Sequence, residues 1–487
     1  MAVDLLKQIE KKLTQLENKN ELKDYLLIAS RNLEHEEREE VKSKLLSMDH
    51  LGKSWIDSIV KQISRAPSEY MIIEEILKKY KIMYLEGLGL YIYNGKVWKK
   101  QNDNYMMKII GKQMGKWKIG SKTSSVLKQL KADCYEELQF NLLPAFNFLN
   151  CTLDLTTGQT HKHSADDLCS IIMEYDYDPK AKYTEWHKFV MDICDDNVER
   201  YERLQMMCGY VLMSDCHLQK SFMLYGEGAN GKSVFLNVIE QVFNKNNVSY
   251  VQLDGLGDKF QLIELTDTLL NISTESKANT NGGEANFKKA VVGETVSACY
   301  KNKDFCKFKP RAKLIFALNE IPYSKEINYG FVRRLSYVKF VNQYVDEPKG
   351  AHQKKVNRNL EKELITNLSG IFNWCYEGYK KLCVLDRFPD IEDDLDMKDF
   401  FYDMSSPVYS FFKDMEPLRE RTLTRDIYSL YVSWCKNNYV VPQDISNFSK
   451  QFSTVSSGVY RYIDTTKNVK LDDEKIKKVH LRGYEPI

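Results

Sequence analysis

Eight consecutive residues, Gly226-Glu227-Gly228-Ala229-Asn230-Gly231-Lys232-Ser233, carry the most specific chemistry in the chain. Glycines at this spacing let the backbone curl until its N–H groups surround phosphate oxygens, and the lysine supplies a cation for the β- and γ-phosphates. The hydroxyl of Ser233 is placed to ligate Mg2+, so ATP with Mg2+ is the expected cofactor pair. All eight residues are candidate nucleotide contacts.

Such a loop serves kinases, switches and motors alike, and the residues behind it discriminate. The run from Thr268 to Glu275 reads as a buried strand ending in a carboxylate, where a parallel sheet places catalytic groups. Glu275 would orient or polarise an attacking water and contribute to the Mg2+ site. Lys313 to Asn319 is a second apolar strand ending in an amide, suited to holding that water or sensing the γ-phosphate. Arg333 and Arg334 precede a further strand, as an arginine finger offered to a neighbouring subunit would. A surface acid, a turn amide and ordinary ion-pairing arginines are the plainer readings of these groups taken singly; their order behind the loop argues against those readings.

The elements that must position these groups are legible around them. Ser221–Tyr225 is a short apolar strand before the loop, and Phe235, Val238, Ile239 and Val242 share one face of a helix after it. Residues 206–345 alternate apolar strands with helices, which predicts a sheet flanked by helices. Upstream, 1–48 reads as amphipathic helix and 49–205 as an α+β domain, with Leu90-Tyr91-Ile92-Tyr93 closed by Asn94-Gly95 as a strand and turn. Downstream, 346–385 is expected to form a small helical lid. The acidic stretch 386–405 is expected to be a solvated linker, so that Asp394-Leu395-Asp396 is a charge run and not a polymerase-type metal site.

Composition bounds the alternatives. A chain of 487 residues exceeds what one core organises, so several domains are expected, and 43% hydrophobic with 28% charged residues describes a soluble globular protein rather than a disordered one. A formal net charge of +2 means that any nucleic-acid surface must be a local concentration of Lys and Arg. The 11 cysteines form no Cys-x-x-Cys pair, which fits a reducing cytoplasm, and His161, His163 and Cys169 read as polar surface rather than a ligand set. Neither a signal peptide nor a membrane span is evident, so no membrane partner is expected.

The motifs together resemble the superfamily 3 helicases of phages, plasmids and large DNA viruses, in the group related to the poxvirus primase-helicase. GEGANGKS, the LLNISTE strand, FKPRAKLIFALNEIP at 308–322 and GFVRRLSYVKF at 330–340 carry the resemblance. YIYNGKVW at 91–98, FNFLNCTLDLTTG at 146–158, YDYDP at 175–179 and Trp186 to Val190 extend it to the domain before the motor. The resemblance implies an AAA+-like ATPase core and a homo-oligomeric ring, expected to be a hexamer, that tracks single-stranded DNA and unwinds forked duplex. It also implies a DNA-gripping hairpin at 298–304, with Tyr300, Lys301 and Lys303 as contacts. Thr274 stands where many relatives carry a second acid before Glu275.

Beyond the motor, Pro407 opens a compact segment with Thr424 as the cap of a second helix. A third helix from Ile445 turns Phe448, Phe452 and Val455 inward and leaves Asn447, Lys450 and Gln451 outward. Two β-like runs, Val459–Ile463 and Lys478–Leu481, could pair as a hairpin. This order suggests a winged helix over 406–487 that reads origin DNA, as a replication initiator of a mobile element needs, with a primase as a possible partner. A DNA-binding ATPase switch that does not unwind, or a small-molecule phosphotransferase, are the competing functions.

Overall fold

The computed structural model describes residues 8–9, 11–12, 19–33, 35–48, 51–274, 283–302, 304–319, 329–470 and 476–487. Glu275 and Lys303 therefore lie outside the described residues. Two compact units are present: one gathers 1–180 with 242–247 and 297–308, the other 181–241, 248–296 and 309–487. The sequence boundary near 205 thus differs from the packing, because the helices after residue 180 belong with the sheet of the second unit.

In the first unit, helices α1 (Lys19–Ser30), α2 (His35–Leu46) and α3 (Lys53–Ile63) bury Leu22, Leu26, Val41, Leu45, Ile56 and Ile59 in a common core. Helix α4 (Glu69–Lys79) starts where the Ser68 hydroxyl accepts the Met71 N–H. An antiparallel meander follows: β1 (Ile82–Leu85), β2 (Gly89–Tyr93) and β3 (Trp98–Gln101). Its second turn is the expected Asn94-Gly95: the Asn94 side-chain oxygen accepts the Lys96 and Val97 N–H groups, and Gly95 sits at φ +95°. Helices α5 (Asp103–Met114) and α6 (Gly120–Asp133) close a core of Ile72, Ile76, Leu90, Met106, Ile110 and Val126 against the meander. A small antiparallel sheet, β4 (Ala145–Asn147), β5 (Thr152–Asp154) and β6 (Thr160–His161), completes the run.

The second unit opens with α7 (Thr184–Ile193) and α8 (Val198–Val211), then β7 (Ser221–Tyr225), α9 (Lys232–Phe243), β8 (Val248–Ser249), β9 (Leu270–Ser273) and α10 (Glu284–Val292). The paired strands β10 (Val296–Ala298) and β11 (Cys306–Phe308) follow, residues 297–308 being grouped with the first unit, and then β12 (Lys313–Leu318) and β13 (Leu335–Lys339) return to the second. Five of these strands form one sheet in the order β13-β7-β12-β9-β8, with every pairing parallel. The six residues of β12 are all buried, the continuous apolar pattern of a strand covered on both faces. From β7 the chain runs out to the β8 edge, returns through β9 and β12, and then crosses to β13 on the other side of β7. The strand order therefore reverses between β7 and β12, the point at whose carboxyl ends open α/β sheets bind ligands.

Two helices brace this sheet in ways that close backbone approach makes visible. Helix α11 (Leu368–Leu385) lies so near α8 that a Cβ at Gly209 would collide with the Gly378 and Tyr379 backbone, and one at Gly378 with the Gln205 carbonyl. Only glycine fits at both positions. Trp186 is fully buried between Phe235 and Trp374, with ring centroids 5.4 and 5.6 Å away.

The stretch expected to be a solvated linker is corrected over 392–405, where the chain forms helix α12 (Glu392–Ser405). Asp393 and Asp394 are buried, not solvated. Asp393 receives Arg200 on both oxygens and also accepts the Lys339 N–H at 2.8 Å. Asp394 pairs with the buried Arg203 at 2.6 Å and accepts the Tyr337 N–H at 2.7 Å. Strand β13 is an edge strand, and Tyr337 and Lys339, two apart, present N–H groups on the same side of it. The two aspartates satisfy this edge, which explains why acids here are held inside rather than in water.

The last segment contains α13 (Pro407–Asp414), β14 (Thr422–Leu423), α14 (Thr424–Asn437), α15 (Ile445–Val455), β15 (Tyr460–Lys470) and β16 (Ile476–Pro486), with sheet order β14-β16-β15. Val408, Phe411, Ile427, Tyr431, Phe448 and Phe452 form its aromatic core. Thr424 does not cap α14: Leu423 holds that position, and the Thr424 hydroxyl is buried without a hydrogen-bond partner. The two expected runs lie in one long antiparallel hairpin, but out of step with each other. Tyr460 stands opposite Pro486 and Thr465 opposite Leu481.

Candidate functional site

The glycine loop occupies the carboxyl end of β7, beside that of β12, and runs straight into α9. Its shape requires small residues. Gly228 and Gly231 take φ +98° and +83°, and Ala229 is itself left-handed at φ +48°. A Cβ at Gly226 would collide with the Asn230 amide and the Phe340 carbonyl. The loop is tied down at its rim, where the Tyr344 N–H donates to the Ala229 carbonyl at 2.7 Å and the Tyr344 hydroxyl to Asp192 at 2.5 Å.

A cavity of about 620 Å³ opens over this loop. Gly228, Ala229, Asn230, Gly231, Lys232 and Ser233 line it, as do Thr274 and Asn319 from the ends of β9 and β12. Phe189, Tyr344, Val356 and Leu360 form an apolar wall of the same cavity. Gly226 and Glu227 are not part of the lining; Gly226 contributes its carbonyl, and Glu227 is exposed.

Lys232 is buried, donating to the Gly226 carbonyl at 2.6 Å and standing 3.5 Å from the Asn319 side-chain oxygen. Burial lowers its ammonium to a pKa of about 8. The Asn230 amide nitrogen is buried in the loop without a partner. A buried cation held only by neutral oxygens, with an orphan N–H donor beside it, is a site short of an anion. Exposed Ser233 at the start of α9 and the end of β9 are placed to hold a divalent cation beside such an anion. The cavity is large enough for a nucleotide, and its donor set fits a polyphosphate with Mg2+.

The two arginines stand elsewhere. Arg333 and Arg334 precede β13, which runs parallel to β7 with Leu335 opposite Ser221. They are therefore at the amino ends of the strands, about 17 Å from the loop end over a strand of this length. Arg333 is exposed, and Arg334 donates to the Gly330 carbonyl. Burial and the neighbouring Arg333 hold the Arg334 guanidinium below its ordinary pKa.

Among the nucleic-acid candidates, Tyr300 and Lys301 lie in the connection between β10 and β11 and are exposed. Asn447 and Lys450 are exposed on α15, Asn447 donating to Asp444 at 2.5 Å. Gln451, expected to face outward, is half-buried and accepts hydrogen bonds from Ser406 and Gln443. Sequence reasoning missed Tyr344 and Phe189 in the lining of this cavity, and Asp192, which holds the Tyr344 hydroxyl. They come from the segments flanking the motif run, and their part there depends on packing that no local pattern announces.

Fold and loop define a mixed α/β, multi-domain chain built on a parallel sheet. A family model described as D5 N terminal like matches residues 70–195, and a family of unknown function (DUF5906) matches 224–334, which contains the loop, Asn319 and both arginines. A protein of Acanthamoeba polyphaga mimivirus named "Putative helicase L207/L206" is 22% identical over 301 residues, which is 58% of this chain and 31% of that protein. The chain thus spans about a third of that viral relative's length. Among solved structures, the apo NrS-1 C-terminal region (305–718) is similar in fold, with a TM-score of 0.51 at 10% identity over 86% of this chain and all of that one. A second apo structure of the NrS-1 C-terminal region gives 0.47 at 11% identity over 86% of this chain and 100% of that one.

Proposed function

We propose that this chain is an ATP-dependent DNA helicase that acts in replication initiation of a phage, plasmid or other mobile element. The observation that carries the proposal is the buried, under-neutralised Lys232 in a glycine loop at the switch point of a parallel sheet, with Asn319 3.5 Å away. The AAA+-like, superfamily 3 character of the core comes from the motif resemblance. A D5 N-terminal-like segment and a viral relative with a helicase name support it.

In this reading Lys232 and the loop N–H groups bind the β- and γ-phosphates, while Asn319 holds the attacking water and Glu275 polarises it. Mg2+ held by Ser233, with Glu275 acting directly or through water, would neutralise charge that builds up between the phosphates. Arg333 and Arg334 sit too far from their own loop to assist, so they serve a neighbouring subunit of a ring, taken as a hexamer. Tyr300, Lys301 and Lys303 grip single-stranded DNA. Residues 406–487 form a winged-helix-like reader of origin DNA through Asn447 and Lys450 on α15, with Gln451 orienting that helix through Ser406. The protein works in the cytoplasm of the host.

Steady-state ATP hydrolysis tests the site itself. Lys232→Ala is expected to lower it at least a hundredfold with the fold intact, and Asn319→Ala to lower the turnover rate more than the affinity for ATP. Undiminished hydrolysis in Lys232→Ala removes the loop from the chemistry. The second reading, a DNA-binding ATPase switch, is favoured if ATP alters DNA binding while no strand separation occurs.

A further inference from the structure

The first unit holds a second, larger cavity, of about 850 Å³, that none of the nucleotide motifs touches. It lies along the β1–β3 meander and the start of α5, and residues 297–308 pack with this unit. Two lysine–tyrosine pairs line it. The Lys131 ammonium stands 5.5 Å from the Tyr84 ring centre, and the Lys100 ammonium stands 5.2 Å from the Tyr300 ring centre. Tyr84 is on β1 and Lys100 on β3, with β2 between them, so the pairs are separated by on the order of 10 Å.

Glycines form part of the same wall. Gly87 and Gly89, at φ +73° and +110°, form the β1–β2 turn in the cavity wall. At Gly89 the nearest atom to an added Cβ would be the Lys100 Cε at 3.8 Å, so the lysine stem lies across a position without a side chain. The first residues of α5, a helix of 12 residues capped by Asn102, line the same cavity and bring the positive end of the helix dipole to it. Asp103 is the one acid in the lining, and it is engaged with Lys131 at 2.7 Å.

We infer that this groove binds single-stranded nucleic acid, with bases stacked at Tyr84 and Tyr300 and phosphates held by Lys100, Lys131 and the start of α5. Alternating π-faces and ammonium groups along an open channel match a flexible strand whose bases and phosphates alternate in the same way. Tyr300 is exposed, and a cation beside an exposed ring is weakly held, so Lys100 can leave it for a phosphate, whereas Lys131, beside half-buried Tyr84, exchanges its Asp103 partner for one. The inference extends the nucleic-acid reading above, but it needs neither ATP hydrolysis nor strand separation.

The test is fluorescence anisotropy of a short fluorescein-labelled oligothymidylate with the full chain, without nucleotide, over a salt series. Lys100→Gln is expected to weaken binding about tenfold and to flatten the slope of log K against log salt by about 0.7, one single-strand phosphate contact. Tyr84→Leu, which keeps the bulk but loses the π-face, is expected to weaken binding with the salt slope unchanged. Wild-type affinity and slope in Lys100→Gln overturn the inference, as does a Tyr84→Leu protein that binds like the wild type. Failure of the helicase reading, with no unwinding by the wild type, leaves these binding results standing. Loss of hydrolysis in Lys232→Ala with intact oligonucleotide binding separates the two sites from the other side.

Discussion

Lys232 is the residue on which the proposed nucleotide site turns, because its charge is expensive where it sits. Buried against the Gly226 carbonyl, it has a pKa of about 8 in the free protein, down from the usual lysine value. A polyphosphate alongside restores the cation, so binding takes up a proton whenever the free lysine is partly neutral. The sign follows: below about pH 7 the lysine is already charged, and above about pH 8 each further unit costs close to tenfold in affinity. Nucleotide affinity is expected to fall between pH 7 and 9. Calorimetry in two buffers of different ionisation enthalpy should show net proton uptake at pH 8, and a flat profile would show that the lysine does not meet the phosphates. The loop's shape was legible because closely spaced glycines between an apolar run and a helical pattern mark a turn that takes positive φ. The orientation of Gln451 was not, since a helical pattern places a residue on a flank without saying that Ser406 and Gln443 will meet it there.

At the scale of elements, strand, loop and helix around residue 226 were readable from apolar runs and punctuation, and so was the Asn94-Gly95 turn. What escaped was tertiary. An acidic run looks solvated in sequence, yet Asp393 and Asp394 are drawn in by two arginines of α8 and by the open edge of β13. Each removes an edge N–H from solvent, which periodicity within α12 alone cannot announce. Asp394→Ala would strand Arg203, itself buried, without its anion, and is expected to cost about 3–5 kcal/mol. Chemical denaturation measures it; a loss under about 1 kcal/mol would mean that water reaches the pair. Gly209 and Gly378 make the same point in apolar form. Their value lies in the backbone contact between α8 and α11, and a lone glycine in a helical pattern reads only as weak propensity.

For the whole molecule, the parallel sheet holds the glycine loop and the paired arginines at its two opposite ends. The loop is at the carboxyl ends and the arginines at the amino ends, so on the proposed reading, in which these arginines complete a nucleotide site, that site takes a second copy. Mixing Lys232→Ala with a protein carrying both Arg333→Ala and Arg334→Ala is expected to regain hydrolysis that neither has alone. No recovery at any ratio would place the finger elsewhere. The division near residue 180 was not legible, because α7 lies within the segment that resembles the preceding domain and α8 straddles the expected boundary at 205, yet both belong with the sheet. The most direct test is strand separation of a forked duplex with ATP, comparing wild type and Lys232→Ala at equal folded concentration. Wild type should separate the strands and Lys232→Ala should not. Equal unwinding by both, or none by wild type while it hydrolyses ATP and binds the fork, would contradict the account of this chain as a motor.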